Sequence, residues 1–338
     1  MKKIIIDKYS YNQRVDKYIL KYLNNSTKSF VYKMFRKKRI KLNGKKITGN
    51  EILKIDDELH FYIAKETIAN FQKSEELNTF SIPLDIIFED DNIVIVNKPV
   101  GLLSHSASKN DENLNDAIVN YLIETNQYNH TTDKTFKPAI CNRLDRNTSG
   151  IVVACKNLLC TQFINSAFKN HDIEKYYLTI VKGNLDLDDF VTNYLVKDEK
   201  NNKVTLFESE VLNGKKIISH IKTLKMNGDF SLLSVKLITG KSHQIRSQLK
   251  FLGHPIIGDT KYGDKKTNSE FSKKYNLNYQ LLHCHKIVLN IRPVRKLEQA
   301  DGNCVNPNSF IENFDYLNER EFNAPENKIF KKILHDLF

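Results

Sequence analysis

The chain has 338 residues, of which 40% are hydrophobic and 27% charged, a composition that excludes a mainly disordered protein and allows two domains. No apolar run approaches the roughly 20 residues of a membrane span, and the apolar part of the opening MKKIIID is too short for a secretory signal. Five scattered cysteines argue for reduced thiols in a cytoplasm rather than a disulfide framework.

The formal charge is +12, and residues 1–65 hold 17 Lys and Arg against 6 Asp and Glu, so a net +11 sits in the first fifth of the chain. Such a block selects a polyanionic partner, nucleic acid ahead of an anionic membrane surface. Val15, Ile19, Leu20 and Leu23 recur at helical spacing, and Thr27 is placed to cap a second amphipathic stretch carrying Val31, Met34 and Phe35. Ile40 and Leu42 then alternate with Arg39 and Lys41 before Asn43-Gly44, a strong hairpin-turn signal. The pattern predicts a small αα-β unit whose basic helix and basic hairpin lie side by side. Arg36, Lys37, Lys38, Arg39, Lys41, Lys45 and Lys46 are its candidate contacts to a phosphate backbone.

Residues 66–80 are polar, lack sustained periodicity and read as a linker. Beyond them the texture changes. IIFEDDNIVIVNKPVG predicts two strands around an acidic turn and a Pro-Gly break. IVVACK, YYLTIVKG, KIISHIKTLKM, FSLLSVKLITG and LLHCHKIVLNI also read as strands, whereas NLNDAIVNYLIE and CTQFINSAFKN read as helices. Strands outnumber helices without regular alternation, which predicts an α+β domain on a mixed, largely antiparallel sheet over residues 81–338.

Two strings can carry chemistry. In CNRLDRNTSGIVVACK, Asp145 lies between Arg143 and Arg146, and flanking cations favour the ionised carboxylate. The same residues also read as a turn closed by local Asx and Ser/Thr hydrogen bonds. Ser149-Gly150 is not a G-x-S-x-G nucleophile elbow. In GKSHQIRSQLKFLGHPIIGDTKYG, polar residues are packed between glycines, and His243 and His254 match no zinc spacing, so both read as structural. His283 and His285 have no third ligand implied nearby, and no phosphate-loop or dinucleotide string is present. The expectation is therefore no metal and no cofactor.

In this order along the chain, IIFEDDNIVIVNKPVGLLSH, NRLDRNTSGIVVACK, EKYYLTIVKG and GKSHQIRSQLKFLGHPIIGDTKYG resemble the RluA family of RNA pseudouridine synthases, and EFNAPENKIFKKILHDL is similar to the family's C-terminal helix. RVDKYI, the Thr27–Arg39 stretch and KLNGKKI resemble the S4 RNA-binding domain, an arrangement similar to the RluC and RluD members. The resemblance implies isomerisation of uridine to pseudouridine within RNA, with 23S large-subunit ribosomal RNA as the favoured partner and a monomeric cytoplasmic enzyme. It implies that Asp145 opens the glycosidic bond, by covalent attack or glycal-type elimination. Tyr177, six residues before Gly183, would stack on the uracil, and Arg246 would pair with Asp145. Arg143 would contact RNA and fill the space of an extruded base. Asn142, Lys241-Ser242, Ser247-Gln248 and a long segment over residues 293–321 depart from the family pattern. Against this stand a catalytically silent RNA-binding or assembly factor built on the S4-like module, and a hydrolase or glycosidase using Asp145.

Overall fold

The computed structural model describes residues 1–7, 10–72, 82–108, 111–130, 135–198, 203–291 and 314–338. The basic N-terminal module contains β1 (Lys2–Ile5), α1 (Val15–Tyr22), α2 (Lys28–Arg36), β2 (Ile40–Leu42), β3 (Lys45–Lys46), β4 (Glu58–Phe61) and α3 (Lys65–Asn70). Its antiparallel sheet has the order β1-β4-β2-β3. The periodic residues Val15, Ile19, Leu23 and Val31 are fully buried in one cluster with Ile40, Leu59 and Phe61. The Thr27 hydroxyl accepts from the Phe30 amide at 3.2 Å, as a cap should. Asn43 and Gly44 both take positive φ, 49° and 73°, and turn β2 into β3.

Helix α3 starts at Lys65 and runs into the segment expected to be a linker. Its one turn and a half lacks a long apolar stripe, but Ile68 is buried against the module's core, which is enough to hold it. The rest of that segment, residues 73–80, lies outside the described residues. The strand β1 has no signal in sequence, because MKKII lacks polar alternation; it adds to the module by pairing with β4.

Asp16 locks this module. Its carboxylate accepts from Arg14 Nε at 3.0 Å and Nη2 at 2.8 Å, from the Tyr32 hydroxyl at 2.7 Å, and from the Lys17 amide at 2.8 Å, tying α1 to α2. Burial opposes ionisation of Asp16, but the hydrogen bonds from Arg14, Tyr32 and Lys17 outweigh it and hold the carboxyl below its ordinary 3.8.

The second unit contains β5 (Ile86–Glu89), β6 (Ile93–Lys98), α4 (Leu114–Glu124), β7 (Ala139–Ile140), β8 (Ser149–Cys155), α5 (Leu158–Lys169), β9 (Ile173–Lys182), β10 (Asp188–Asp198) and β11 (Lys203–Phe207). It continues with β12 (Lys215–Met226), β13 (Phe230–Leu237), α6 (Gln244–Phe251), α7 (Lys265–Tyr275), β14 (Leu282–Leu289), β15 (Glu321–Asn323) and α8 (Lys328–Leu337). One sheet runs β11-β10-β12-β13-β9-β14-β8-β6-β5, with β7 on β8 and β15 on β14. Every described pair is antiparallel except β14 with β8, so the α+β, mixed and largely antiparallel expectation holds. Asn113 and Asn157 cap α4 and α5 by accepting from the Asp116 and Cys160 amides. Of the long segment at 293–321, residues 293–313 lie outside the described residues; Asp315–Leu317 form a short 3-10 turn and Glu321 opens β15.

The parallel contact is where the sheet brings the candidate residues together. Gly150 has φ 115° and lies so close to β14 that a Cβ there would sit 2.2 Å from the Cys284 carbonyl oxygen. Only glycine permits that approach. Among the described residues Cys141, Cys155, Cys160 and Cys284 are free thiols, and the Cys155 sulfur lies 3.0 Å from Cys160 and 3.5 Å from Cys141. No helix of the described residues is long and apolar enough to cross a membrane.

Because the Asp16 carboxyl is lowered on folding, its contribution is complete above its unfolded pKa and fades as pH falls through the folded value. Asp16→Asn should destabilise the N-terminal module by about 1–2 kcal/mol at pH 7, with the gap to wild type closing in acid. Urea unfolding followed at pH 7 and pH 3 checks both points.

Candidate active site

Asp145 sits on the loop between β7 and β8, and every part of that loop is pinned. Asn142 Nδ2 donates to the Ile151 carbonyl at 3.1 Å and its Oδ1 accepts from the Val153 amide at 2.8 Å, fastening the loop to β8. Asparagine at this position therefore works through both ends of its amide. The Ser104 hydroxyl donates to the Leu144 carbonyl at 2.7 Å and accepts from the Leu144 amide at 3.0 Å. The Asp145 carbonyl accepts from the Thr148 amide at 3.1 Å, closing the turn.

From the other side comes the NKPVG string. Gly101 N donates to the Arg146 carbonyl at 2.9 Å, and Arg146 Nε returns a bond to the Gly101 carbonyl at 3.1 Å. Lys98, wholly buried, donates to the carbonyls of Pro99, Leu102 and Arg146 at 2.8, 2.8 and 3.0 Å, the full donor set of an ammonium. Burial pushes the Lys98 amine down to about 7, with the Asp145 charge pulling the other way. In sequence this string reads as a simple chain break; its lysine is the buried support of the Asp145 turn.

The flanking arginines are not what meets the carboxylate. Arg146 is committed to Gly101, and Arg143 is exposed on the cavity wall. The partner is Arg246, whose Nη1 donates to Asp145 Oδ2 at 2.8 Å. Alternation in sequence puts cations beside Asp145, but a turn points neighbouring side chains apart, and the pairing crosses 101 residues instead.

Arg246 is itself held by Asp259. Its Nε and Nη2 donate to Asp259 Oδ2 and Oδ1 at 2.7 and 2.9 Å, a two-pronged pair. The guanidinium also lies over the Tyr262 ring, 5.3 Å from its centroid. Asp259 is 1% exposed. Burial works against its charge, yet the hydrogen bonds and charge of Arg246, together with the Tyr262 and Lys261 amides, hold its carboxyl below the ordinary range. For Arg246, burial is likewise overcome by Asp259 first and Asp145 second, which raise it above its ordinary value.

Arg246 is carried by α6, a helix with no clear sign in the sequence. Gln244, Ser247 and Gln248 are polar yet buried, so the helix shows no clean apolar stripe. Their side chains are satisfied inside: Gln248 accepts from Ser219 at 2.7 Å and donates to the Val191 carbonyl, while Ser247 donates to the His243 carbonyl. His243 precedes the helix in the left-handed region, φ 56°, with Nε2 3.9 Å from Asp145 Oδ2 and Nδ1 3.1 Å from the Tyr262 hydroxyl. It thus belongs to the site rather than to structure alone. His254 is engaged by the Lys182 carbonyl, and His283 by Ser149 and the Ala324 carbonyl.

Tyr177 on β9 is 5% exposed and lines the same cavity as Asp145. Burial pushes its phenol well above the ordinary range, and Cys284 stands opposite it across the β9–β14 pair. Strand alternation sends Tyr176 to the other face, where its hydroxyl donates to Glu174 at 2.6 Å. The cavity is about 890 Å³, and among the described residues its charged lining is six cations, Arg143, Arg146, Lys169, Lys175, Lys241 and Arg246, against the single carboxylate of Asp145. In the N-terminal module, Arg36 to Arg39, Lys45 and Lys46 are exposed, and Lys41, half-buried, lies over the Tyr62 ring.

The profile of the RNA pseudouridylate synthase family matches residues 92–251, and that of the S4 domain matches residues 13–59. The chain is 35% identical over 274 residues to an RNA pseudouridine synthase of Mycoplasma capricolum, covering 80% of this chain and 88% of the relative. It is 31% identical to ribosomal large subunit pseudouridine synthase D of Borreliella burgdorferi, covering 80% and 81% of the two chains. It is 32% identical to ribosomal large subunit pseudouridine synthase C of Rickettsia bellii, covering 82% and 89%. The solved structure of human RNA pseudouridylate synthase domain containing 4 shares the fold, with a TM-score of 0.55 at 20% identity over 75% of this chain and 92% of that one. The chain belongs to the RluA family of RNA pseudouridine synthases, with an S4 domain at its N-terminus. It is accordingly an isomerase acting on uridine in RNA.

Proposed function

We propose that this enzyme isomerises uridines of 23S large-subunit ribosomal RNA, as a cytoplasmic monomer, with Asp145 as its catalytic carboxylate. The observation that carries the role of Asp145 is its position: among the described residues it is the one carboxylate in the cavity lining, on a turn held by Lys98 and Ser104 and oriented by Arg246. The ribosomal target is supported by the names of the C- and D-type relatives and by the basic S4 domain.

Isomerisation breaks the N1–C1′ bond and forms a C5–C1′ bond; C5 loses its proton and N1 takes one up, so substrate and product have the same atoms. Arg246 engages Oδ2 and leaves Oδ1 without a hydrogen bond among the described residues, so Oδ1 is the oxygen available either to attack C1′ or to take a proton from the sugar. Both routes use a carboxylate held in one orientation, which the guanidinium at 2.8 Å supplies. Tyr177, kept a neutral phenol by burial, offers its ring to the uracil as a stacking face and its hydroxyl as a donor rather than a base. Arg143, exposed at the cavity wall, occupies the gap left in the RNA when the target base swings out. Arg36, Lys37, Lys38, Arg39, Lys41, Lys45 and Lys46 hold the phosphate backbone away from the reacting nucleotide.

Asp145→Asn should abolish turnover, read as tritium release from [5-³H]uridine-labelled ribosomal RNA, while RNA affinity stays within about threefold of wild type. Turnover by that variant would remove Asp145 from the reaction, and inactive wild-type protein that still binds RNA would overturn the ribosomal-target reading. Replacing Lys37, Lys38, Lys45 and Lys46 by Ala should flatten the dependence of log affinity on log salt by about 0.7–0.9 for each phosphate that is no longer neutralised. An unchanged slope would place the backbone elsewhere.

A further inference from the structure

Lys175 is a cation lining the cavity with no ion-pair partner among the described residues. It lies on β9 two residues before Tyr177, so both side chains rise from the same face of the sheet, about 7 Å apart along the strand. The ammonium is half-buried and lies 5.5 Å from the centroid of the Phe168 ring. It packs against the backbone at Gly240, where a Cβ would be 3.5 Å from Nζ. Among the described residues it has no ion pair and no hydrogen bond to a carbonyl. Burial lowers its pKa, with only the Cys284 thiol pulling the other way.

Four other sheltered cations among the described residues are treated differently. Lys156 reaches Glu89 at 2.7 Å, Lys236 reaches Glu174 at 2.6 Å, Lys98 spends its three protons on carbonyls, and Arg246 is shared by two aspartates. A sheltered charge without a counter-charge costs stability. That cost is offset when a ligand supplies the anion. The surroundings suit an anion: Lys169 ends α5, His171 lies two residues beyond it and Lys241 follows Gly240, and all three line the cavity and are exposed. A neutral uracil carbonyl would not balance an ammonium in this position, whereas a phosphodiester would.

We propose that Lys175 is a positioning residue that binds the phosphodiester adjoining the target uridine, with Lys169, His171 and Lys241 as the rim of the same subsite. The proposal rests on the cavity being the site of uridine isomerisation. It places one fixed charge contact beside Tyr177, so that the backbone of the extruded nucleotide is anchored where its base stacks.

The test combines Lys175→Met with RNA bearing a single neutral methylphosphonate at the linkage 5′ or 3′ of the target uridine. Losing a hydrogen bond between charged groups should raise KM about ten- to a hundredfold with kcat little changed. One of the two methylphosphonates should cost wild type a similar factor and cost Lys175→Met nothing further. Because the substitution removes an unanswered charge, thermal unfolding of the free variant should move to higher temperature, and Lys175→Arg should recover most of the affinity. A lower unfolding temperature or failure to fold would make the lysine structural and overturn the proposal, as would an unchanged KM or additive losses in the combined experiment. If Asp145→Asn is inactive while Lys175→Met binds normally, only this inference fails; if Asp145→Asn turns over, the reading of the cavity fails first.

Discussion

One guanidinium shared by two carboxylates governs the arrangement of this enzyme. Arg246 gives two hydrogen bonds to Asp259, behind it and buried, and one to Asp145, which faces the cavity. A single carboxylate facing a buried arginine would satisfy only part of its donor fork; the second fixes its plane. The asymmetry matters as much as the count. Asp259 takes the bidentate grip with 1% of its surface exposed, whereas the Asp145 side chain keeps 30% exposure for the reacting nucleotide. The consequence is a carboxylate that is oriented before substrate arrives, and preorganised charge is the form of stabilisation that costs nothing at the moment of reaction.

The rest of the fold supports that geometry. Lys98, Gly101 and Ser104, all from the end of β6 and the segment after it, grip the Asp145 turn, Asn142 fastens it to β8, and Gly150 lets β14 come close enough to set Cys284 against Tyr177. Three separate stretches of chain thus converge on one turn. Buried polar groups of this kind are tolerated because each is hydrogen-bonded. Charge is also placed with purpose. The excess of the N-terminal module lies on exposed lysines and arginines, while the nearly neutral remainder still gathers six cations around one aspartate.

Much of this is legible in the sequence where local chemistry decides the outcome. Asn43-Gly44 turns as its residues require, Thr27 caps as a threonine does, and β5, β6, β8, β9, β12, β13 and β14 lie where their patterns put them, whereas β10 and β11 carry no such pattern. Asp145, Tyr177 and Arg246 stand out in motif strings and line one cavity. What stays hidden is contact between distant parts of the chain. Asp259 looks like one polar residue among many, since no spacing announces that its carboxylate will fold back on Arg246. Helix α6 is obscured because Gln244, Ser247 and Gln248 are buried polar residues, which erases the apolar period. Arg143 and Arg146 mislead for the opposite reason: adjacency in sequence is not adjacency of charge.

Whether Asp259 acts on Asp145 only through Arg246 is tested by a double-mutant cycle on the single-turnover rate of pseudouridine formation, using Arg246→Lys, Asp259→Asn and the pair. Lysine cannot bridge both carboxylates as a fork, so each single change should slow the reaction by about a hundredfold. The pair should be little slower than Arg246→Lys alone. Additive losses would show Asp259 acting by another route and would contradict the account.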